Sequence, residues 1–256
     1  MCTTVILRRP GHDWPVILAA NRDEMTDRPW LAPGRHWPDR PEVVAGLDRE
    51  AGGTWLGLND HGLLAGILNR MGSLGPQAGK RSRGELVLEA LDHAEAAEAA
   101  RALAHLEAAA YRSFNLLVAD AERAFWLRNL GEEAPGRVEV FELPPGLSML
   151  TARDLNDETS PRIGGYLPQF RATAAPNPEA GDWRSWQQIL TSRQGTPADD
   201  PFAAMTIVSD QGFGTVSSSL IALPAAPRTL AAQPRPPVWL FAPGRPDRES
   251  YQPVDL

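Results

Sequence analysis

The stretch Val16-Ile17-Leu18-Ala19-Ala20-Asn21-Arg22-Asp23-Glu24 decides the reading of this chain, together with the opening Met1-Cys2-Thr3-Thr4-Val5-Ile6-Leu7. Val16–Ala20 and Thr3–Leu7 are rich in β-branched and apolar residues and read as strands. Between them, Arg8-Arg9-Pro10-Gly11-His12-Asp13 carries turn residues at its centre. Two strands joined in this way form a hairpin, in which the start of one lies beside the end of the other. Cys2 is therefore expected to meet Asn21-Arg22-Asp23-Glu24 at one end of a sheet. The plain alternative is a polar strand end closed by a surface salt bridge.

Cys2 is the only cysteine. Met1 is removed when the second residue is small, and the chain would then begin with a thiol and an α-amine on one residue. An α-amine titrates near pH ~8, so part of it is a free base at neutral pH. A nearby amine of this kind activates an N-terminal nucleophile. The alternative is a tolerated cysteine of no chemical consequence, since a lone cysteine needs supporting groups in space.

The sequence has 256 residues, 43% hydrophobic and 22% charged, as expected for one globular domain spanning residues 1–256. No apolar run approaches the ~20 residues of a membrane span, and the N-terminus lacks a secretory pattern. One cysteine forms no internal disulfide, which fits a reducing cytoplasm. A net charge of −7 without a concentrated basic patch argues against a nucleic-acid partner. Among 25 basic residues only Lys80 is lysine, a skew associated with GC-rich bacterial genomes. The five histidines form no two-His helical pair with a Glu between them, and no phosphate-binding Gly-rich loop occurs. No metal and no cofactor are expected.

Arg28–Pro41 is rich in proline and tryptophan, and is expected to be a long loop: a lid over a binding site, or a wrap whose Trp30 and Trp37 rings cover core residues. Val43–Gly46, Thr54–Leu58 and Leu63–Asn69 read as strands, with a turn at Asn59-Asp60-His61-Gly62. Ser82-Arg83-Gly84-Glu85 has the form of a capping box ahead of a helix, and an alanine-rich helix is predicted over Glu95–Ala109. Phe114–Ala119 and Arg123–Asn129 form a hairpin, and Val138–Leu143 alternates as a half-buried strand. Weaker helices are predicted at Pro161–Ala172 and Trp183–Arg193. Late strands follow at Thr215–Leu223 and Val238–Phe241, joined by the proline-rich Pro224–Pro237. Gly52-Gly53 and Gly164-Gly165 read as turn or close-packing glycines. Strands outnumber helices, which come in pairs between runs of strands, so the fold class is α+β.

Cys2 with Asn21–Glu24, then Ala51-Gly52-Gly53-Thr54-Trp55-Leu56-Gly57-Leu58-Asn59, Gly62–Asn69, Ser82–Leu86, Phe114–Val118 and Gly212–Ser218, resembles the NRDE family, also called the Transport and Golgi organisation 2 family. The resemblance implies the αββα four-layer sandwich of N-terminal nucleophile hydrolases, similar to cysteine acylases that cleave bile salts and penicillin V. By this resemblance Cys2 is the nucleophile, Arg22 sits near the thiol and favours its anion, and Asp23 orients the α-amine. Asn69 matches an acylase position that lends an oxyanion donor; its plain reading is a turn residue. Asn21, Glu24, Arg28, Trp30 and Trp37 are the expected substrate-binding residues.

Two departures stand against strong hydrolysis. Ala152, in Met149-Leu150-Thr151-Ala152, occupies the place of a second oxyanion-donating Asn, and Val216 stands where many relatives carry Arg. One lost oxyanion donor costs on the order of 3 kcal/mol, and nearby Asn156 is a candidate replacement. The expected function is an N-terminal cysteine hydrolase acting on an amide or thioester of a small molecule. The alternative is a non-catalytic carrier in the haem, lipid or acyl-CoA trafficking connected with some family members, with Met25, His36 and Arg22 near a planar anionic ligand.

Overall fold

The computed structural model describes residues 2–131, 136–195, 200–227 and 235–256. They group into two compact units, Met1–Arg28 with Pro145–Val254, and Pro29–Pro144 with Asp255–Leu256. The hairpin opens the first unit. Strand β1 (Thr3–Arg8) runs antiparallel to β2 (Val16–Met25), with Thr3 opposite Asn21 and Arg8 opposite Val16. Gly11 takes φ +83° in the turn between them, a conformation that costs glycine nothing.

Strand β10 (Gly146–Leu150) pairs with the free side of β1, and β11 (Phe213–Leu223) with the free side of β2. Strands β12 (Val238–Ala242) and β13 (Gln252–Pro253) complete a six-stranded antiparallel sheet in the order β10-β1-β2-β11-β12-β13. One face packs on helices α3 (Pro161–Ala172) and α4 (Arg184–Leu190). Val5, Ile17, Ala19, Leu220 and Ala222 meet Ile163, Tyr166, Leu167, Phe170 and Trp186 there. Helix α3 contains Gly164, Gly165 and Pro168, all poor helix formers. Its apolar positions 163, 166, 167 and 170 follow helical spacing, so packing rather than propensity holds it. Two buried serines of β11 are bonded: Ser218 donates to Asn21 Oδ1 at 2.6 Å, and Ser219 Oγ accepts from Trp239 Nε1 at 3.2 Å.

The second unit is an antiparallel meander of seven strands in sequence order: β3 (Trp30–Gly34), β4 (Val43–Asp48), β5 (Leu56–Asn59), β6 (Leu64–Asn69), β7 (Phe114–Ala119), β8 (Ala124–Asn129) and β9 (Val138–Glu142). Helices α1 (Gly84–Leu91) and α2 (Ala96–Leu103) cover one face through Leu86, Val87, Leu91, Ala99 and Leu103 against Val43, Ala45, Ala65, Leu116 and Leu127. Asn59 locks this arrangement. Its Nδ2 donates to the carbonyls of Leu91 and His93 at the end of α1, and its Oδ1 accepts from the amides of His61 and Leu63 in the predicted turn.

Four expectations change. Arg28–Pro41 is not a plain loop: Trp30–Gly34 forms the edge strand β3, where Pro33 interrupts the register, as an edge strand tolerates. The helix after Ser82 has Arg83 at its N-cap, and Ser82 Oγ accepts from Gly84 N at 3.3 Å rather than from Glu85, so no capping box forms. Helix α2 stops at Leu103, before a 3₁₀ turn at Ala108–Ala110. Strand β10 is missing from the strand pattern of the sequence. The Pro224–Pro237 connection lies partly outside the described residues.

Each glycine pair has one closely packed member, and a Cβ on Gly164 would stand 2.9 Å from the Glu158 carbonyl oxygen. A Cβ on Gly53 would stand 2.6 Å from the Gly84 carbonyl carbon, whereas a Cβ on Gly165 meets nothing within 4 Å. Gly53→Ala should therefore force two backbones apart and cost about 1–3 kcal/mol, lowering Tm by several degrees. Gly165→Ala should leave Tm unchanged or raise it, because alanine is the better helix former. Equal Tm values for the two variants would refute this packing account.

Candidate active site

The end of the β1–β2 hairpin seats Cys2 against the backbone of Asp23. Its Sγ accepts from the Asp23 amide at 3.4 Å and lies 3.5 Å from the Asp23 carbonyl oxygen, to which the S–H donates. Continuing the ladder one residue beyond the Thr3–Asn21 pair sets Cys2 beside Arg22. Burial pushes the thiol up from its ordinary pKa, and the Asp23 carboxylate pushes the same way. The amino terminus and the Asp23 amide pull it back, and Glu24 adds a smaller upward push. The outcome is a raised thiol. Desolvation and two carboxylates outweigh the amino terminus and the Asp23 amide, so the shift runs opposite to the thiolate expected beside Arg22.

Asp23 itself is 1% exposed, and its carboxylate is held at both oxygens. Oδ1 accepts from Thr215 Oγ1 at 2.6 Å, and Oδ2 accepts from Arg162 Nη1 at 2.9 Å. Thr215 Oγ1 accepts in turn from the Ile207 amide at 2.8 Å. Arg162, 3% exposed, also donates from Nη1 to Thr3 Oγ1 at 2.6 Å and from Nη2 to the Phe202 carbonyl at 2.9 Å. Sequence reading missed Arg162. A signal was present: an arginine directly after Pro161 lies in the first turn of a helix, where the macrodipole disfavours a cation. Such a placement calls for a compensating anion.

Strand alternation divides the Asn21–Glu24 cluster. Asn21 and Asp23 project to the face that carries α3 and α4, and Arg22 and Glu24 to the other. Asn21 is a structural tie: its Nδ2 donates to the Leu190 and Met205 carbonyls, and its Oδ1 accepts from Ser218. Glu24 Oε1 accepts from the Met25 amide, and Oε2 lies 4.0 Å from Arg28 Nε. Opposite this cluster the β11 register slips between Thr215 and Ser217, so Val216 is the extra residue of a bulge facing Arg22–Asp23. Bulges of this kind re-aim side chains and are over-represented beside active sites. Ala152 is buried just past β10, two residues beyond the Leu150–Thr4 pair. Asn156, weighed as a replacement donor, has φ +57° and accepts from the Met149 amide at 2.7 Å. Its Nδ2 lies 3.5 Å from Ser148 Oγ, so its carboxamide closes its own loop onto β10.

Asn69, Trp30 and Trp37 belong to the second unit. Asn69 ends β6 opposite Phe114, half-buried. Among the described residues its carboxamide has no hydrogen-bond partner. Trp30 stands edge-on to Trp55 at 5.9 Å, and Trp37 packs on the core beneath α1 and α2 while donating to the Gly52 carbonyl at 3.1 Å. His36 Nε2 lies 2.8 Å from the Ala32 carbonyl. Asn115, quoted above only as part of a strand, accepts on Oδ1 from both Arg70 and Trp126. Among the described residues no three His, Cys, Asp or Glu side chains are gathered to hold a metal ion, and no helix is long and apolar enough to cross a membrane.

Three solved structures share the fold at low identity. The Caenorhabditis elegans N-acylethanolamine-hydrolyzing acid amidase ortholog matches with a TM-score of 0.56 at 13% identity, covering 86% of this chain and 92% of its own. Penicillin V acylase from Agrobacterium tumefaciens matches at 0.51 and 14%, covering 94% and 83%. A conjugated bile acid hydrolase from Clostridium perfringens matches at 0.51 and 10%, covering 100% and 97%. The fold is thus α+β, the αββα sandwich class of N-terminal nucleophile hydrolases. The bovine Transport and Golgi organization protein 2 homolog is 40% identical over 134 residues, 47% of this chain and 46% of that protein. The human homolog is 39% identical over 114 residues, 43% and 40%. The chain thus aligns with somewhat under half the length of these curated relatives. The family model for Transport and Golgi organisation 2 matches residues 1–225, and the chain belongs to that family.

Proposed function

We propose that the chain is an N-terminal cysteine hydrolase acting on an amide or thioester bond of a small molecule. The observation that carries this reading is the seat of Cys2: a thiol held at 3.4 Å by the amide of Asp23, whose carboxylate is fixed on the opposite face of the sheet. The fold supports it by analogy, since the three structural neighbours are named as an acid amidase ortholog, an acylase and a hydrolase.

Once Met1 is removed, the α-amine of Cys2 takes the thiol proton as Sγ adds to the substrate carbonyl. The carbonyl π-electrons move to oxygen, giving a tetrahedral oxyanion. Collapse expels an amine, which leaves with the proton from the α-ammonium, or a thiolate, which takes up that proton after it departs. Water then attacks the thioester on Cys2, giving the carboxylic acid and the free thiol.

The departures at Ala152 and Val216 weigh toward a thioester. A thioester carbonyl is less stabilised by resonance than an amide, and a thiolate departs without prior protonation. A site short of one oxyanion donor therefore handles it more readily. The same departures favour the second reading, a carrier of haem or an acyl compound that keeps the fold. Location in a reducing cytoplasm and a bacterial source remain part of the proposal and rest on cysteine usage and composition.

Intact mass of the chain from its natural host should show Met1 removed. Cys2→Ala should abolish turnover of a small acyl thioester while leaving Tm unchanged, and thioester turnover should exceed that of the matching amide. A carrier would show the same ligand binding, and no turnover, in Cys2→Ala and the parent chain.

The raised thiol fixes a pH dependence. Thiolate is the alkylated form, so a pKa above the ordinary value leaves Cys2 protonated at neutral pH. In the chain with Met1 retained, iodoacetamide alkylation should be slow at pH 7 and half-maximal above the pH found for a free cysteine. Removal of Met1 puts the ammonium on Cys2 itself and should move the midpoint down. A midpoint below that of free cysteine with Met1 retained would contradict the burial argument.

A further inference from the structure

We propose that Arg162 is a positioning residue for Cys2, acting through Asp23 and Thr3. The inference rests on the reading of Cys2 as nucleophile but is tested on the thiol itself. One guanidinium reaches both sides of the hairpin end. On β1 it binds Thr3, the residue after Cys2, at 2.6 Å; on β2 it binds Asp23, whose backbone holds Sγ, at 2.9 Å. Its third bond, to the Phe202 carbonyl at 2.9 Å, anchors the group from another segment of the same unit. A planar fork of donors fits this geometry, and an ammonium reaches no such set at once.

The electrostatic consequence has a definite sign. The charged groups around Cys2 are Asp23, Glu24 and the amino terminus, with Arg22 alongside in the ladder and Arg162 behind Asp23. Asp23 disfavours the thiolate, and Arg162 offsets that charge from 2.9 Å inside a buried site. Thus Arg162 does two things for Cys2. It fixes the Asp23 backbone that cradles the sulfur, and it limits the repulsion that the carboxylate exerts on the thiolate.

The test titrates iodoacetamide alkylation of Cys2 in the full chain, with Tm measured alongside, for Arg162→Gln, Arg162→Lys, Asp23→Asn and the Arg162→Gln/Asp23→Asn pair. Arg162→Gln should slow alkylation about tenfold at a fixed pH below the midpoint, equivalent to a midpoint about one unit higher. Asp23→Asn should move the midpoint down, and in that background Arg162→Gln should add no further upward shift. Arg162→Lys should restore part of the charge effect. A residue that only props up the fold predicts the reverse sign, because a loosened thiol drifts toward an ordinary cysteine. An unchanged or lower midpoint in a folded Arg162→Gln protein overturns the proposal, as does an undiminished upward shift in the double variant. Should Arg162→Gln fail to fold, Asp23→Asn decides: a lowered midpoint supports the proposal and an unchanged one overturns it. These readings are independent of turnover, whereas the loss of activity in Cys2→Ala tests the nucleophile itself.

Discussion

The buried pair of Asp23 and Arg162 is the interaction on which the first unit depends. Burying two opposite charges costs several kcal/mol of desolvation per ion, repaid only when geometry is good and the remaining lone pairs and protons find partners. Here Thr215 takes the second carboxylate oxygen, and Thr3 and the Phe202 carbonyl take further guanidinium protons. An apolar pair of similar volume would fill the same space with no such demand. The ion pair is better understood as a constraint on position than as a source of stability. It ties helix α3, the start of β1, the end of β2 and strand β11 to one point.

That point explains the irregular features around it. Strand β11 would run in register past β2 but slips at Val216, and the slip allows Thr215 to meet Asp23 while Ser217 pairs with Arg22. Without the bulge, alternation would carry every later side chain of β11 to the other face, and Ser218 would lose its bond to Asn21. Asn21 in turn fastens the segments at Leu190 and Met205. Several polar residues read as candidates for chemistry are therefore the means by which a buried strand end satisfies its donors and acceptors.

The hairpin and its register were legible because a two-residue period, a turn and a polar strand end all point the same way. The seven-stranded meander was legible for the same reason, up to its irregular edge. Trp30–Gly34 read as loop because Pro33 and Gly34, with Pro29 just before them, hide an edge strand that needs few ladder bonds. Strand β10 was hidden because Gly146–Leu150 follows Pro144-Pro145 and is defined by pairing with β1, a long-range contact with no local signal. The meeting of Cys2 with Asn21 and Asp23 at the hairpin end was legible in the strand pattern, but the side-chain partners of each were not. Whether a carboxylate faces an amine or an arginine 139 residues away depends on tertiary packing. Arg162 left only the trace of a cation in the wrong turn of a helix.

A raised thiol is compatible with nucleophilic work at an N-terminal cysteine. A thiol activated by a distant cation must be anionic before substrate arrives, and it is exposed to oxidation in that form. A thiol with its own α-amine needs to release its proton only as the carbonyl is attacked. Nucleophilicity falls as thiol pKa falls, so a sulfur kept basic by burial and by Asp23 is the stronger attacking group once deprotonated. The balance is set by how far Asp23 may push before proton transfer to the amine becomes unfavourable, and the group placed to limit that push is the guanidinium of Arg162.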